Sequence, residues 1–188
     1  MLARRVLLVD DHPVFRTGLR RVLEATGRYE IVAEAGNAHE AIRAAEETRP
    51  GLILLDVQLP GITGLRITRI LRRKQTRARI VVLSVHVDDD RIIEAVRAGA
   101  VAFLQKDIGA EALTAALARI CAGENLLRAE LLARPELASD SARQRLVAVG
   151  RFEPRRRRGL ARRRDGGGET RPSGARWRSV VLCRRTRS

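Results

Sequence analysis

Five short apolar runs, alternating with helical patterns, constrain this chain more than any other feature. The runs are Val6-Leu7-Leu8-Val9, Ile31-Val32-Ala33, Leu52-Ile53-Leu54-Leu55, Ile80-Val81-Val82-Leu83 and Val101-Ala102-Phe103-Leu104. The third is apolar throughout, as a strand covered on both faces requires. Between the runs, apolar residues recur at helical spacing. Phe15, Leu19, Val22 and Leu23 follow Pro13, and Ala41, Ile42, Ala44 and Ala45 come before Pro50. Ile67, Ile70 and Leu71 then Ile92, Ile93 and Val96 mark two more helices, and Leu113, Ala116, Leu117 and Ile120 the fifth. Strict alternation of this kind predicts a parallel sheet with helices on both faces, joined by right-handed crossovers. In such sheets the reactive groups gather beyond the carboxyl ends of the strands. There the sequence puts Asp10, Asp11, Asp56, Ser84 and Lys106, drawn from four different strands.

That set suits phosphoryl chemistry. Three neighbouring carboxylates repel one another and raise their pKa values unless a cation sits among them. They form a hard, oxygen-rich site of the kind Mg²⁺ takes, with waters and phosphate oxygens completing its shell. A carboxylate can also be a nucleophile and form an aspartyl phosphate. An ammonium and a hydroxyl then suit the remaining phosphoryl oxygens. Asp56 is the candidate acceptor, Asp10 and Asp11 the metal side, Lys106 and Ser84 the oxyanion side.

The segments Val9-Asp10-Asp11-His12-Pro13, Leu55-Asp56-Val57-Gln58-Leu59-Pro60-Gly61, Ser84 and Phe103-Leu104-Gln105-Lys106-Asp107 resemble the receiver domain of bacterial two-component response regulators. The resemblance covers residues 4–122, and the opening Val9 to Arg20 is similar to the NarL/FixJ type. It implies a flavodoxin-like (CheY-like) α/β fold: a doubly wound, five-stranded parallel sheet in the order 2-1-3-4-5. It implies that Asp56 takes a phosphoryl group from a partner sensor histidine kinase. Asp11 and Asp56, with Asp10 acting through water and the backbone carbonyl of Gln58, would hold Mg²⁺. Ser84 and Lys106 would contact the phosphoryl oxygens, and Phe103 would occupy an aromatic switch position that reports on Ser84. Switching would reshape the fourth helix and fifth strand, and a homodimer on phosphorylation is a further expectation. Thr63 stands where the family often has Asp.

Each residue also has a plainer reading. Asp11 before a Pro-opened helix is a natural N-cap. Asp56 before Pro60-Gly61 suits a turn. Ser84 alone reads as a loop hydroxyl, Lys106 as a solvated lysine and Phe103 as core. His12, His39 and His86 lack ligand spacing and read as non-metal. The functional reading rests on joint placement, because four ordinary explanations would have to coincide at four strand ends. The same chemistry exists in phosphatases that form an aspartyl phosphate. Here the chain is short, shows no cap domain, and has Gln58 where a second catalytic acid would stand. A phosphoacceptor signalling protein is therefore expected rather than an enzyme with an external substrate.

Charge divides the chain. Residues 1–150 hold 23 basic and 19 acidic side chains, whereas residues 151–188 hold 14 basic, all Arg, and 3 acidic, within an overall formal charge of +15. The expected organisation is a receiver over 1–123, a linker helix and tether over 124–149, and an Arg/Gly-rich tail over 150–188, disordered on its own. The linker helix is expected between Glu124 and Arg134. Response regulators of this type usually end in a helix-turn-helix module, whose sequence signals are absent here. Two readings of the tail stay open. It is a basic arm holding nucleic-acid phosphates without sequence preference, or it is out-of-frame translation, from near residue 149, of a former DNA-binding module. Specific DNA binding is therefore doubtful. Aromatics at 3% argue against base stacking as the main activity. Cys121 and Cys183 make neither a disulfide framework nor a four-ligand zinc site. No apolar run approaches the roughly 20 residues of a membrane span, and the start lacks a signal-peptide layout. The expectation is a cytoplasmic protein without a membrane partner.

Overall fold

The structure is a computed structural model that describes residues 3–74, 77–86 and 88–133. The tether and the Arg/Gly-rich tail of 150–188, with both readings of it, lie outside the described residues. Five strands and six helices follow in order: β1 (Arg4–Val9), α1 (Pro13–Glu24), β2 (Tyr29–Ala35), α2 (Ala38–Thr48), β3 (Leu52–Asp56), α3 (Gly64–Lys74), β4 (Arg79–Ser84), α4 (Asp89–Ala98), β5 (Ala102–Gln105), α5 (Ala110–Cys121) and α6 (Leu126–Ala133). All strand pairs are parallel, and the order is β2-β1-β3-β4-β5. The expected α/β architecture and strand order are both present.

Side-chain alternation along the strands builds two faces. Val6, Leu8, Leu52, Leu54, Val81, Leu83, Ala102 and Leu104 pack against Leu19 and Leu23 of α1 and Leu113, Leu117 and Ile120 of α5. Their alternates Leu7, Val9, Ile53, Leu55 and Ile80 pack against Ala41 and Ala45 of α2 and Ile67 and Leu71 of α3. A smaller cluster on α4 joins Val82, Ile92, Ala95 and Phe103. The inner strands are buried along almost their whole length, which explains their unbroken apolar runs.

The second strand is longer than its apolar run suggested. It extends from Tyr29 to Ala35 because an edge strand tolerates charged side chains, here the exposed Glu30 and Glu34, which pairs with Arg16 and Arg20 of α1, and its pairing with β1 shifts register between Val6 and Leu7. Asn37 caps α2 by accepting from the Glu40 N–H at 3.0 Å, and Asp88 caps α4 by accepting from the Arg91 N–H at 2.8 Å. At α1 the capping position falls on His12, whose side chain makes no cap bond, so Asp11 is not spent as a cap. The linker helix begins at Leu126. Leu126 enters the α1/α5 core, and Leu127 enters the α4 cluster beside Phe103.

Candidate phosphoacceptor site

Parallel strands of matched length bring their carboxyl ends to one edge of the sheet. Asp10 follows β1 directly, Asp56 and Ser84 close β3 and β4, and Lys106 follows β5 by one residue. Asp10 and Asp56 are almost fully buried at 2% and 1% exposure, which is rare for carboxylates without partners. Their partner is Lys106, whose Nζ lies 2.7 Å from Asp10 Oδ2 and 2.7 Å from Asp56 Oδ2. The lysine is only 11% exposed, so the solvated-surface reading does not hold. Its ammonium also sits 4.8 Å from the centre of the Phe15 ring.

The other carboxylate oxygens are held from the backbone. Asp56 Oδ1 accepts from the Gln58 N–H at 3.0 Å, and Asp10 Oδ1 accepts from the His12 N–H at 2.8 Å. The turn-forming role of Asp56 and its place in the cluster are thus compatible, one oxygen for each. Burial pushes the Asp56 carboxyl above its ordinary value. The Lys106 ammonium and the Gln58 N–H pull the other way without overcoming it. Burial pulls the Lys106 ammonium down, but the two carboxylates outweigh it and the net direction is up. The site is a buried acid pair that shares one cation.

The comparisons with known proteins agree on the kind of chain this is. The family model for the response regulator receiver domain matches residues 6–118. The nitrate/nitrite response regulator NarL of Escherichia coli K12 is 37% identical over 155 residues, covering 81% of this chain and 71% of NarL. The chain belongs to the response regulator receiver family. The transcriptional activator ExaE of Pseudomonas putida is 36% identical over 152 residues, covering 79% of this chain and 71% of ExaE. A crystal structure of a LuxR-family two-component response regulator from Aurantimonas sp. SI85-9A1 superposes with a TM-score of 0.63 at 37% identity, covering 66% of this chain and 89% of that one. The receiver here is of the NarL/LuxR type, a component of two-component signalling and transcription regulation.

Around this receiver's acid pair the remaining expected residues fall into place unequally. Ser84 is fully buried, but its hydroxyl donates to the His86 carbonyl at 2.7 Å and accepts from the His86 N–H at 3.2 Å. Its hydrogen bonds are those of a loop hydroxyl. Phe103 is fully buried among Val82, Ile92 and Ala95. Asp11 is near the cluster, and its Oδ1 is buried without a hydrogen bond, with His12 Nδ1 2.8 Å away. Asp10, Asp11, His12 and Asp56 each offer one ligand atom, and these four atoms lie within 4.8 Å of one another. A carboxylate oxygen with no hydrogen bond, whose near neighbours are an imidazole nitrogen and further carboxylates, belongs to a donor set that fits a hard divalent cation. His12 was not expected there. Ligand spacing in sequence carries no sign of it, because the sharp turn from β1 into α1 folds it back onto its own neighbours.

A cavity of about 620 Å³ opens beyond the end of β3 and is lined by Asp11, His12, Gln58, Thr63, Arg91 and Glu94 among others. Gly64 fixes the geometry behind the site, because a Cβ there would stand 2.0 Å from the Asp56 carbonyl oxygen. Among the described residues no helix is long and apolar enough to cross a membrane.

Proposed function

We propose that this receiver accepts a phosphoryl group on Asp56 from a sensor histidine kinase. The observation that carries the reading is the position of Lys106 Nζ, 2.7 Å from Asp56 Oδ2 and 2.7 Å from Asp10 Oδ2 at the end of the sheet. In the transfer, an Asp56 oxygen forms a bond to phosphorus as the donor's N–P bond breaks. The bonding electron pair leaves with the histidine nitrogen. Lys106 stays protonated throughout, orients the carboxylate, and meets a phosphoryl oxygen once the acceptor is modified. Ser84 turns its hydroxyl from the His86 carbonyl to another phosphoryl oxygen. Its release from the β4–α4 loop changes the packing around Phe103, and the α4–β5 surface changes with it. Mg²⁺ is the ion proposed for Asp10, Asp11, Asp56 and the Gln58 carbonyl; when bound, it neutralises charge on the entering phosphoryl group.

Self-phosphorylation and self-dephosphorylation are the only covalent chemistry in this reading. The proposed output is control of transcription from the cytoplasm, with dimerisation of the phosphorylated form as its means. The test is intact-mass spectrometry after incubation with Mg²⁺ and acetyl phosphate. Wild type should gain one phosphate, and Asp56→Asn should gain none. A phosphate on Asp56→Asn, or none on folded wild type, overturns the assignment.

A further inference from the structure

Of the four groups that bring ligand atoms within 4.8 Å of one another at the strand ends, His12 alone is not a carboxylate. Its backbone N–H holds Asp10 Oδ1 at 2.8 Å, which fixes the residue against the cluster. It stands at the capping position of α1, yet its side chain makes no cap bond, so the imidazole is not used by the helix. Its Nδ1 lies 2.8 Å from Asp11 Oδ1 and 3.4 Å from Asp10 Oδ1. Asp11 Oδ1 is buried and makes no hydrogen bond. Two ligand atoms at right angles on one ion, with bonds of about 2.0 to 2.4 Å, stand about 2.8 to 3.4 Å apart. The imidazole nitrogen and the two carboxylate oxygens have the spacing of atoms that share an ion. Charge points the same way. Asp10, Asp11 and Asp56 bring three negative charges and Lys106 returns one, so a divalent ion balances the cluster. A neutral imidazole adds a donor without disturbing that balance.

From this geometry we infer that His12 Nδ1 is a ligand of the metal site and tilts its preference from Mg²⁺ toward first-row transition ions such as Mn²⁺ and Co²⁺. The inference rests on the metal site proposed above, and not on phosphoryl transfer to Asp56. Mg²⁺ takes oxygen ligands and gives up its waters reluctantly, so an imidazole adds little to its binding. Imidazole suits transition ions, and affinity at a site of mixed nitrogen and oxygen donors rises from Mn²⁺ to Co²⁺. The ring of His12 is 66% exposed, whereas Asp10 beside it is buried, so the nitrogen lies on the solvent side of the acids. An ion entering from solvent meets the imidazole and Asp11 first and the buried pair last.

The experiment uses the full chain and takes two readings. Calorimetric titration gives affinities for Mg²⁺, Mn²⁺ and Co²⁺, and pulsed electron paramagnetic resonance of bound Mn²⁺ reads coupling to a directly bound nitrogen. Circular dichroism first establishes that His12→Ala, Asp11→Asn and Asp56→Asn are folded. Wild type should show the nitrogen coupling. His12→Ala should lose it, together with about tenfold or more in Co²⁺ affinity, because even the outer partners of metal ligands carry about that much. Its Mg²⁺ affinity should change by less than about threefold. Bound Mn²⁺ without nitrogen coupling overturns the inference. Equal losses for Mg²⁺ and Co²⁺ in His12→Ala overturn it too and make His12 a structural residue of the turn. Tighter binding of every ion in His12→Ala also overturns it and marks the imidazole as an ion-pair partner of Asp11. Coupling retained in His12→Ala, or in both aspartate variants, comes from a nitrogen elsewhere and has the same consequence. If folded wild type binds none of the three ions, the metal site itself falls and this ligand with it. Binding that does not depend on His12 leaves the metal site standing and removes this inference alone.

Discussion

Asp56 and Glu34 meet the same two influences and end on opposite sides of their ordinary values. Burial raises both. At Asp56, burial prevails over one shared lysine and one backbone N–H, and the neighbouring Asp10 adds to it, so the carboxyl is pushed up. At Glu34, on the open edge of the sheet, burial is outweighed by Arg20 at 2.7 Å and Arg16 at 3.0 Å, so the carboxyl is pulled down. The difference lies in the ratio of charges. The edge gives one carboxylate two guanidinium groups, whereas the strand ends give two buried carboxylates one ammonium. The edge is electrostatically finished. The strand ends are short of positive charge, and that shortage is what a divalent cation would fill. Arg16 touches both regions, because its Nη1 also donates to the Asp10 carbonyl.

The largest test of this contrast removes the shared lysine. Lys106→Met strands two buried carboxylates and should cost about 3 kcal/mol in urea unfolding at neutral pH without divalent ions. Added Mg²⁺ should return a good part of it, whereas a loss that Mg²⁺ leaves untouched would break the contrast. Next, Gly64→Ala forces a methyl against the Asp56 carbonyl and should cost about 2 kcal/mol by the same measurement. An unchanged midpoint would mean that the backbone behind Asp56 yields freely. Asp56→Asn should go the other way and stabilise the metal-free protein, on the order of 1 kcal/mol, because a neutral amide replaces a disfavoured buried charge. The smallest effect belongs to the edge. Glu34→Gln should cost less than about 1 kcal/mol, as partly exposed ion pairs do.

pH separates the same two residues by sign. Glu34 has a folded value below its ordinary 4.5, so its contribution is present above 4.5 and is lost as the pH falls through the lower folded value. Asp56 has a folded value above its ordinary 3.8, so its contribution is greatest below 3.8 and is lost as the pH rises through the folded value. Unfolding midpoints measured across the acid range should therefore show Glu34→Gln flattening the acid limb. Asp56→Asn should flatten the slope on the neutral side. Both variants flattening the same limb would show that the two environments are alike after all.

Much of the fold was legible because the inner strands are covered on both faces and so are apolar without interruption. The edge strand β2 was read too short for the opposite reason: Glu30 and Glu34 break the apolar pattern where one side is open. The strand-end position of Asp10, Asp56, Ser84 and Lys106 was legible because a parallel sheet collects those ends by topology alone. The contacts made there were not. That Ser84 turns to His86, that Asp11 is left out of the α1 cap, and that His12 joins the acids are matters of loop geometry over two or three residues. Residue type does not encode them.

Leu126 and Leu127 give the domain a late fastening. They lie beyond α5, yet one fills the α1/α5 core and the other sits among the α4 cluster with Phe103. A protease that cut at Gly123 would pull two plugs from the body of the domain at once. The trimmed product would be left with paired voids and a shortened lifetime. The durable fragment should instead end beyond Leu127. Any tension applied to the chain downstream would arrive first at the residues surrounding Phe103.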